Sequence, residues 1–138
     1  MTPRVLVDSD VILDFLLERK PFNLPAQRLF RSIEEKRVIG NMTVLMAANL
    51  FYILRKIRAV SEVKKGIHML TLLMGVLPVT AKEIDLALLS SFNDFEDAIQ
   101  YYVAKAYDLS HIVTRNKKDY APADLIVCTA EEFGQMAL

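Results

Sequence analysis

Arg4-Val5-Leu6-Val7-Asp8-Ser9-Asp10-Val11-Ile12-Leu13-Asp14 is the stretch that decides the fold. Arg4 to Val7 is a short β-branched run that meets Asp8, and from there Val11, Ile12, Phe15 and Leu16 recur at helical spacing. The pattern predicts strand, turn, helix, with a carboxylate at the lip of the strand. Capping of the following helix is the one structural duty open to Asp8, and Ser9 or Asp10 could serve there instead.

Working outward, Phe22 to Lys36 reads as a second helix and Val38-Ile39-Gly40 as a brief strand. Thr43 can cap a long apolar helix through Ile57, and Ser61 another through Met74. Gly66 reads as a tolerated interior glycine and Gly75 as a helix stop. Val76 to Val79 reads as a third strand. Thr80 to Glu83 has the capping-box pattern and starts a helix through Leu89. Asn93 to Glu96 repeats it and starts another through Tyr107. His111 to Thr114 and Leu125 to Cys128 close the set as strands, and Thr129 to Glu132 caps a last short helix. Five strands alternating with helices predict the α/β class, a three-layer α/β/α domain with a five-stranded parallel sheet over 1–138. No internal repeat or Pro/Gly/Ser linker marks a second domain.

With 138 residues, the chain is long enough to bury one sizeable core. Its 53% hydrophobic and 25% charged residues fit a water-soluble protein, and no stretch reaches the roughly 18 apolar residues of a membrane span. The start lacks a secretory pattern, so the chain is expected to begin at Met1. The single cysteine, Cys128, forms no internal disulfide, which points to the cytoplasm. Seventeen basic and seventeen acidic side chains balance, so nucleic-acid binding would have to be local. Arg55-Lys56-Ile57-Arg58, Lys64-Lys65 and Arg115-Asn116-Lys117-Lys118 are the basic clusters that could touch phosphates, although Arg55 to Arg58 could equally close a helix.

In an open parallel sheet the ligand crevice lies beyond the carboxyl ends of the strands. Asp8 ends the first strand, Asn116 and Asp119 follow the fourth, and Asp94 and Asp97 open the helix before it, three residues apart on one face. Several carboxylates brought together repel one another unless a cation is present, and oxygen-only donors suit Mg²⁺ or Mn²⁺. As structural residues, Asp94 and Asp97 would be helix-start acids and Asp119 a turn residue. His68 and His111 lack the paired spacing of a zinc site, and Ser90-Ser91 lacks a nucleophile elbow.

Together these segments resemble the PIN-domain nucleases, including the toxin ribonucleases of bacterial toxin–antitoxin pairs, over nearly the whole chain. Val5 to Asp14 is similar to the family's opening strand, aspartate and helix. Asn49 with Tyr52 to Arg55 is similar to its third helix, Phe92 to Gln100 to the segment carrying a metal aspartate, and Ile112 to Tyr120 to its last acidic motif. The resemblance implies a ribonuclease in which Mg²⁺ or Mn²⁺ activates water for attack on an RNA phosphodiester. Asp8 and Asp97 would hold the metal, and Asn116 and Asp119 would complete or orient its surroundings. Arg115, Lys117 and Lys118 would grip phosphates of single-stranded or looped RNA. Two departures stand out. Asp10 occupies a position where the family usually has an amide, and Asn49 lies where a glutamate usually projects; Asn49 could coordinate through its carbonyl oxygen or through water, and Asp10 or Asp94 could replace the missing charge. An antitoxin partner and a homodimer are further expectations. The helices 43–57 and 61–74, with Met42, Met46, Met69 and Met74, offer surface for the dimer or serve simply as core.

Two alternatives accompany this reading. Val7-Asp8-Ser9-Asp10-Val11 also resembles the nucleophile motif of haloacid-dehalogenase-like phosphatases, although that family expects its later acidic pair directly after a strand. A PIN fold disabled by the missing glutamate would instead bind RNA or a protein without cleaving.

Overall fold

Val5, Leu6 and Val7 are wholly buried, apolar on successive residues because both faces of their strand are covered. This strand, β1 (Arg4–Val7), lies at the centre of a five-stranded all-parallel sheet with β2 (Ile39–Thr43), β3 (Gly75–Leu77), β4 (His111–Val113) and β5 (Ile126–Cys128). The strand order is β3-β2-β1-β4-β5. The helices are α1 (Ser9–Leu16), α2 (Asn23–Glu34), α3 (Val44–Leu54), α4 (Val60–Leu73), α5 (Ala81–Leu89), α6 (Phe95–Ala106) and α7 (Ala130–Gln135). A 3₁₀ turn spans Lys117–Tyr120. This computed structural model describes residues 2–136, so the expected start at Met1 lies outside the described residues.

The chain walks outward from β1 to β2 to β3, so right-handed crossovers lay α1 to α4 over one face. It returns through α5 and α6 over the other face to reach β4. Packing agrees, since α2 touches both α1 and α7, α3 touches α4, and α5 and α6 pair with each other. Phe15 and Phe30, with ring centroids 4.1 Å apart, stack α1 on α2 within the main core. Burying each such side chain is worth roughly 1.5–3 kcal/mol. Chain direction around the sheet reverses between β1 and β4, the place where an open sheet leaves a crevice.

Several boundaries differ from the sequence reading for identifiable reasons. α3 ends at Leu54 rather than Ile57, because the ladder tightens into three-residue bonds from Lys56 to Ile53 and from Ile57 to Leu54. Arg55 to Arg58 therefore follow the helix as a turn. Ala59 rather than Ser61 occupies the N-cap of α4, with no side-chain cap. β2 runs to Thr43 because it ladders with both β1 and β3. Gly75 is a strand residue opposite Asn41, and a Cβ there would overlap the Asn41 carboxamide oxygen, whose amide nitrogen donates to Val5 O at 3.2 Å. Thr43 caps α3, and Thr80 and Thr129 form the two expected capping boxes. Asp94, not Asn93, caps α6.

Candidate active site

Register places the site. Val7 pairs with Val113, so Asp8 and Thr114 emerge side by side at the β1–β4 switch, with Asp8 N–H donating to Val113 O at 2.9 Å. Asp8 caps α1, the duty that Ser9 or Asp10 could have taken. Its Oδ1 accepts the Ser9 N–H at 2.8 Å, and its Oδ2 accepts the Thr114 hydroxyl at 2.9 Å.

A second hydroxyl joins this group to a distant helix. Tyr120, wholly buried at the end of the 3₁₀ turn, lies with its hydroxyl 3.2 Å from Asp8 Oδ2 and 3.2 Å from Asp97 Oδ1 on the first turn of α6. One proton shared between two carboxylates cannot satisfy both when both are ionised. Burial first, then repulsion from Asp10, pushes Asp8 from 3.8 up to about 6, against the pull of its hydrogen bonds. Burial, then repulsion from Asp8 and Asp94, pushes Asp97 from 3.8 up to about 7. The same two carboxylates, added to burial, hold the Tyr120 phenol well above its ordinary value.

Asp10 approaches from the first turn of α1. Its Oδ2 accepts the Arg115 N–H at 3.0 Å and the Asn116 side-chain amide at 3.3 Å, while its Oδ1 is buried without a hydrogen-bond partner. Burial raises its pKa, and the Arg115 N–H opposes the rise. Asn116 N–H donates to Thr114 Oγ1 at 3.1 Å, so this oxygen is the pivot of the β4 end.

The other expected residues are distributed differently. Asp94 is exposed and accepts the Asp97 N–H at 2.9 Å, which is helix capping. Asp119 is exposed on the 3₁₀ turn and adds repulsion at Asp97. Asn49 donates to Glu96 Oε2 at 3.2 Å, so a glutamate does stand beside the position that lacks one, supplied by α6 instead of α3. Arg115 is held 2.9 Å from Asp14 Oδ2, and Lys117 lies 3.0 Å from Glu132 Oε2, so both cations are already paired. Lys118 is exposed. Arg58 lines a cleft with Leu16 and Leu17, at the far end of α1 from Asp8, about 12 Å along an eight-residue helix. Its cluster therefore does not join the acidic rim. His111 packs edge-on against Phe133, and burial lowers its pKa.

Thr114, Tyr120 and Asp14 were missed in the sequence. Asp14, 1% exposed, pairs with both Arg19 and Arg115 at 2.9 Å. Tyr120 had a signal: in a helical turn after Asp119 it takes the inward side as Asp119 takes the outward one.

Among the described residues no three His, Cys, Asp or Glu side chains gather into a preformed metal-holding group; of the expected ligands, Asp8 and Asp97 are linked through Tyr120, while Asp94 accepts the Asp97 N–H and Asn116 donates to Asp10. The donors nevertheless fit a hard cation. Asp8 and Asp97 are oxygen ligands whose repulsion a divalent ion relieves, and Asp10 Oδ1 is an unpartnered buried oxygen beside them. Mg²⁺ commonly takes only one or two carboxylates and keeps waters elsewhere.

Oxygen donors from β1, α6 and the β4 end thus converge at the switch point of a three-layer parallel α/β sheet, the place where open sheets of this kind bind their ligands. Residues 4–118 match the model of the PIN domain, and the chain belongs to that family. It is 28% identical to Ribonuclease VapC1 of Aquifex aeolicus over 138 residues, covering 94% of this chain and 92% of the relative. Mycobacterium tuberculosis VapC20, described as a sarcin-ricin loop cleaving toxin, shares the fold with a TM-score of 0.69 and 16% identity, over 86% of this chain and 94% of that one. VapBC2 of Rickettsia felis, solved bound to a DNA fragment from its promoter, does so with a TM-score of 0.63 and 13% identity, over 90% and 96%. Asp94 and Asp97 follow α5 rather than a strand, which leaves the phosphatase-like arrangement without its later acidic pair. No helix among the described residues is long and apolar enough to cross a membrane.

Proposed function

We propose that this chain is a single PIN domain acting as a divalent-metal-dependent endoribonuclease, the toxin of a toxin–antitoxin pair. The observation that carries the reading is the Asp8–Tyr120–Asp97 link at the β1–β4 switch, with Tyr120 Oη 3.2 Å from each carboxylate. Asp8 and Asp97 would hold Mg²⁺ or Mn²⁺, and such an ion, when bound, supplies a nucleophilic water at neutral pH and charge stabilisation at the phosphoryl oxygens. Asp10, Thr114 and Asn116 keep the β4 end in register with Asp8, and Asp119 adds negative charge at the rim. Lys118, exposed beside this rim, reaches a flanking phosphate more freely than Arg115 or Lys117, which carry carboxylate partners. An unpaired RNA strand suits the open crevice. The relatives support an antitoxin partner, and a homodimer in the cytoplasm accords with the sequence reading.

Incubation of a mixed single-stranded RNA with purified protein should give cleavage with Mn²⁺ and none with EDTA, and Asp97→Asn should lose at least 10²-fold. RNA bound but never cut, at any metal concentration, would favour the non-catalytic alternative. That second reading rests on Asn49, whose side chain is spent on Glu96.

A further inference from the structure

A second cleft shares a wall with the acidic rim. It measures about 550 Å³ and is bordered by Phe22, Leu24, Arg28, Arg115, Asn116 and Glu131. Phe22, just before α2, keeps 40% of its surface exposed although the Arg115 guanidinium lies 4.0 Å from its ring centroid. Arg115 is itself immobilised from behind by Asp14, a buried carboxylate that also holds Arg19. Burying Asp14 there is costly without a return in packing or precision. What it achieves is a guanidinium plane and an aromatic ring fixed against each other at the surface.

We propose that this cleft is a nucleobase subsite, taking an unpaired base of the RNA adjacent to the phosphate at the acidic rim; the inference rests on the ribonuclease reading above. The lining favours a base over a phosphate. Phe22, Leu24 and Pro25 give the cleft apolar walls, and Arg115 is already paired with Asp14, which suits a neutral aromatic ring with polar edges. The stack offers the π-face that every base can use, and Asn116 and Glu131 offer donors and acceptors for an edge. Continuity sets which base. Arg115 N–H and the Asn116 amide both contact Asp10 Oδ2, at 3.0 and 3.3 Å, so the cleft begins one residue from the acidic cluster. A preformed platform loses little conformational freedom when the base arrives.

The test uses a short single-stranded RNA carrying the fluorescent base 2-aminopurine, titrated onto Asp97→Asn protein and onto its Phe22→Ala and Phe22→Tyr derivatives. Stacking worth about 1–3 kcal/mol per base corresponds to an affinity loss of roughly 5- to 150-fold in Phe22→Ala, with quenching abolished. Phe22→Tyr should stay near the parent, and an abasic nucleotide in the labelled position should erase the difference between variants. Melting temperature checks that Phe22→Ala stays folded, and Phe22→Leu serves if it does not, since it too removes the ring. Unchanged affinity in the ring-less variant, or the same loss with abasic RNA, overturns the subsite. Wild-type protein that never cleaves while Phe22-dependent stacking persists refutes the catalytic reading alone; cleavage without Phe22 dependence refutes the subsite alone.

Discussion

Asp8→Asn should make the metal-free protein more stable above neutral pH. Asp8 is buried, and its pKa is raised from 3.8 to about 6. A carboxyl with a raised folded-state pKa contributes stability that is fully present below about pH 4 and is lost as the pH rises through about 6. The difference corresponds to about 3 kcal/mol withdrawn from the wild type once Asp8 is ionised. The amide cannot ionise, and it also relieves the repulsion on Asp97. Against this gain stands the substituted NH₂, which faces the Thr114 and Tyr120 hydroxyls where Oδ2 accepted. Both hydroxyls can turn to accept, so the mismatch costs about 1–2 kcal/mol. The net expectation at pH 8 in EDTA is a gain of about 1–2 kcal/mol, a rise of roughly 3–8 °C in Tm. Below about pH 3 Asp8 is protonated in both states and the advantage disappears, so the two stability curves cross. Mn²⁺ at a hundredfold excess over its Kd should stabilise wild type by about 2.7 kcal/mol at pH 8 and leave the variant unmoved. Thermal scans across this pH range, with and without Mn²⁺, read every part of the argument. A variant less stable than wild type at pH 8 in EDTA would refute the buried-charge reasoning, and equal Mn²⁺ responses would refute Asp8 as a ligand.

Tyr120→Phe removes the donor shared by Asp8 and Asp97, so both carboxyls should titrate higher and the acid limb of the cleavage pH profile should move upward, with kcat falling more than KM changes; a pH series of rates measures this. Asn49→Glu should raise Mn²⁺ affinity in calorimetry if a third-helix carboxylate belongs at the site, and should lower metal-free Tm by repulsion from Glu96. Gly75→Ala should cost about 1–3 kcal/mol in urea unfolding, because the new Cβ meets the Asn41 side chain inside the sheet.

Much of the architecture was legible because its determinants are local. The run from Val5 to Val7 and the helical recurrence after Asp8 depend on neighbours a few positions away. So do the Thr80 and Thr129 capping boxes, and each formed as expected. Asp8 at a strand end on the carboxyl edge of the sheet was equally readable. The PIN resemblance carried the family, and the five-stranded parallel sheet followed from alternation of elements. Local pattern failed where a neighbour across the sheet or a packed helix set the outcome: Gly75 is spoken for by Asn41, and α3 tightens and stops at Leu54.

The chemistry of the pocket depends on pairs far apart in the chain. Tyr120 meets Asp8 across 112 residues and Asp97 across 23, and Thr114 meets Asp8 across 106. Whether such groups touch depends on strand order, register and the path of α6 over the sheet, none of which leaves a trace in residue spacing. For the same reason Asp94 and Asp97, alike in sequence, diverge: one caps its helix in solvent, the other is driven against Asp8. From its sequence alone, then, the chain declares a parallel α/β fold with acids at its carboxyl edge. Only the tertiary structure decides which of those acids share a proton, because burial and charge repulsion act through space and not along the chain.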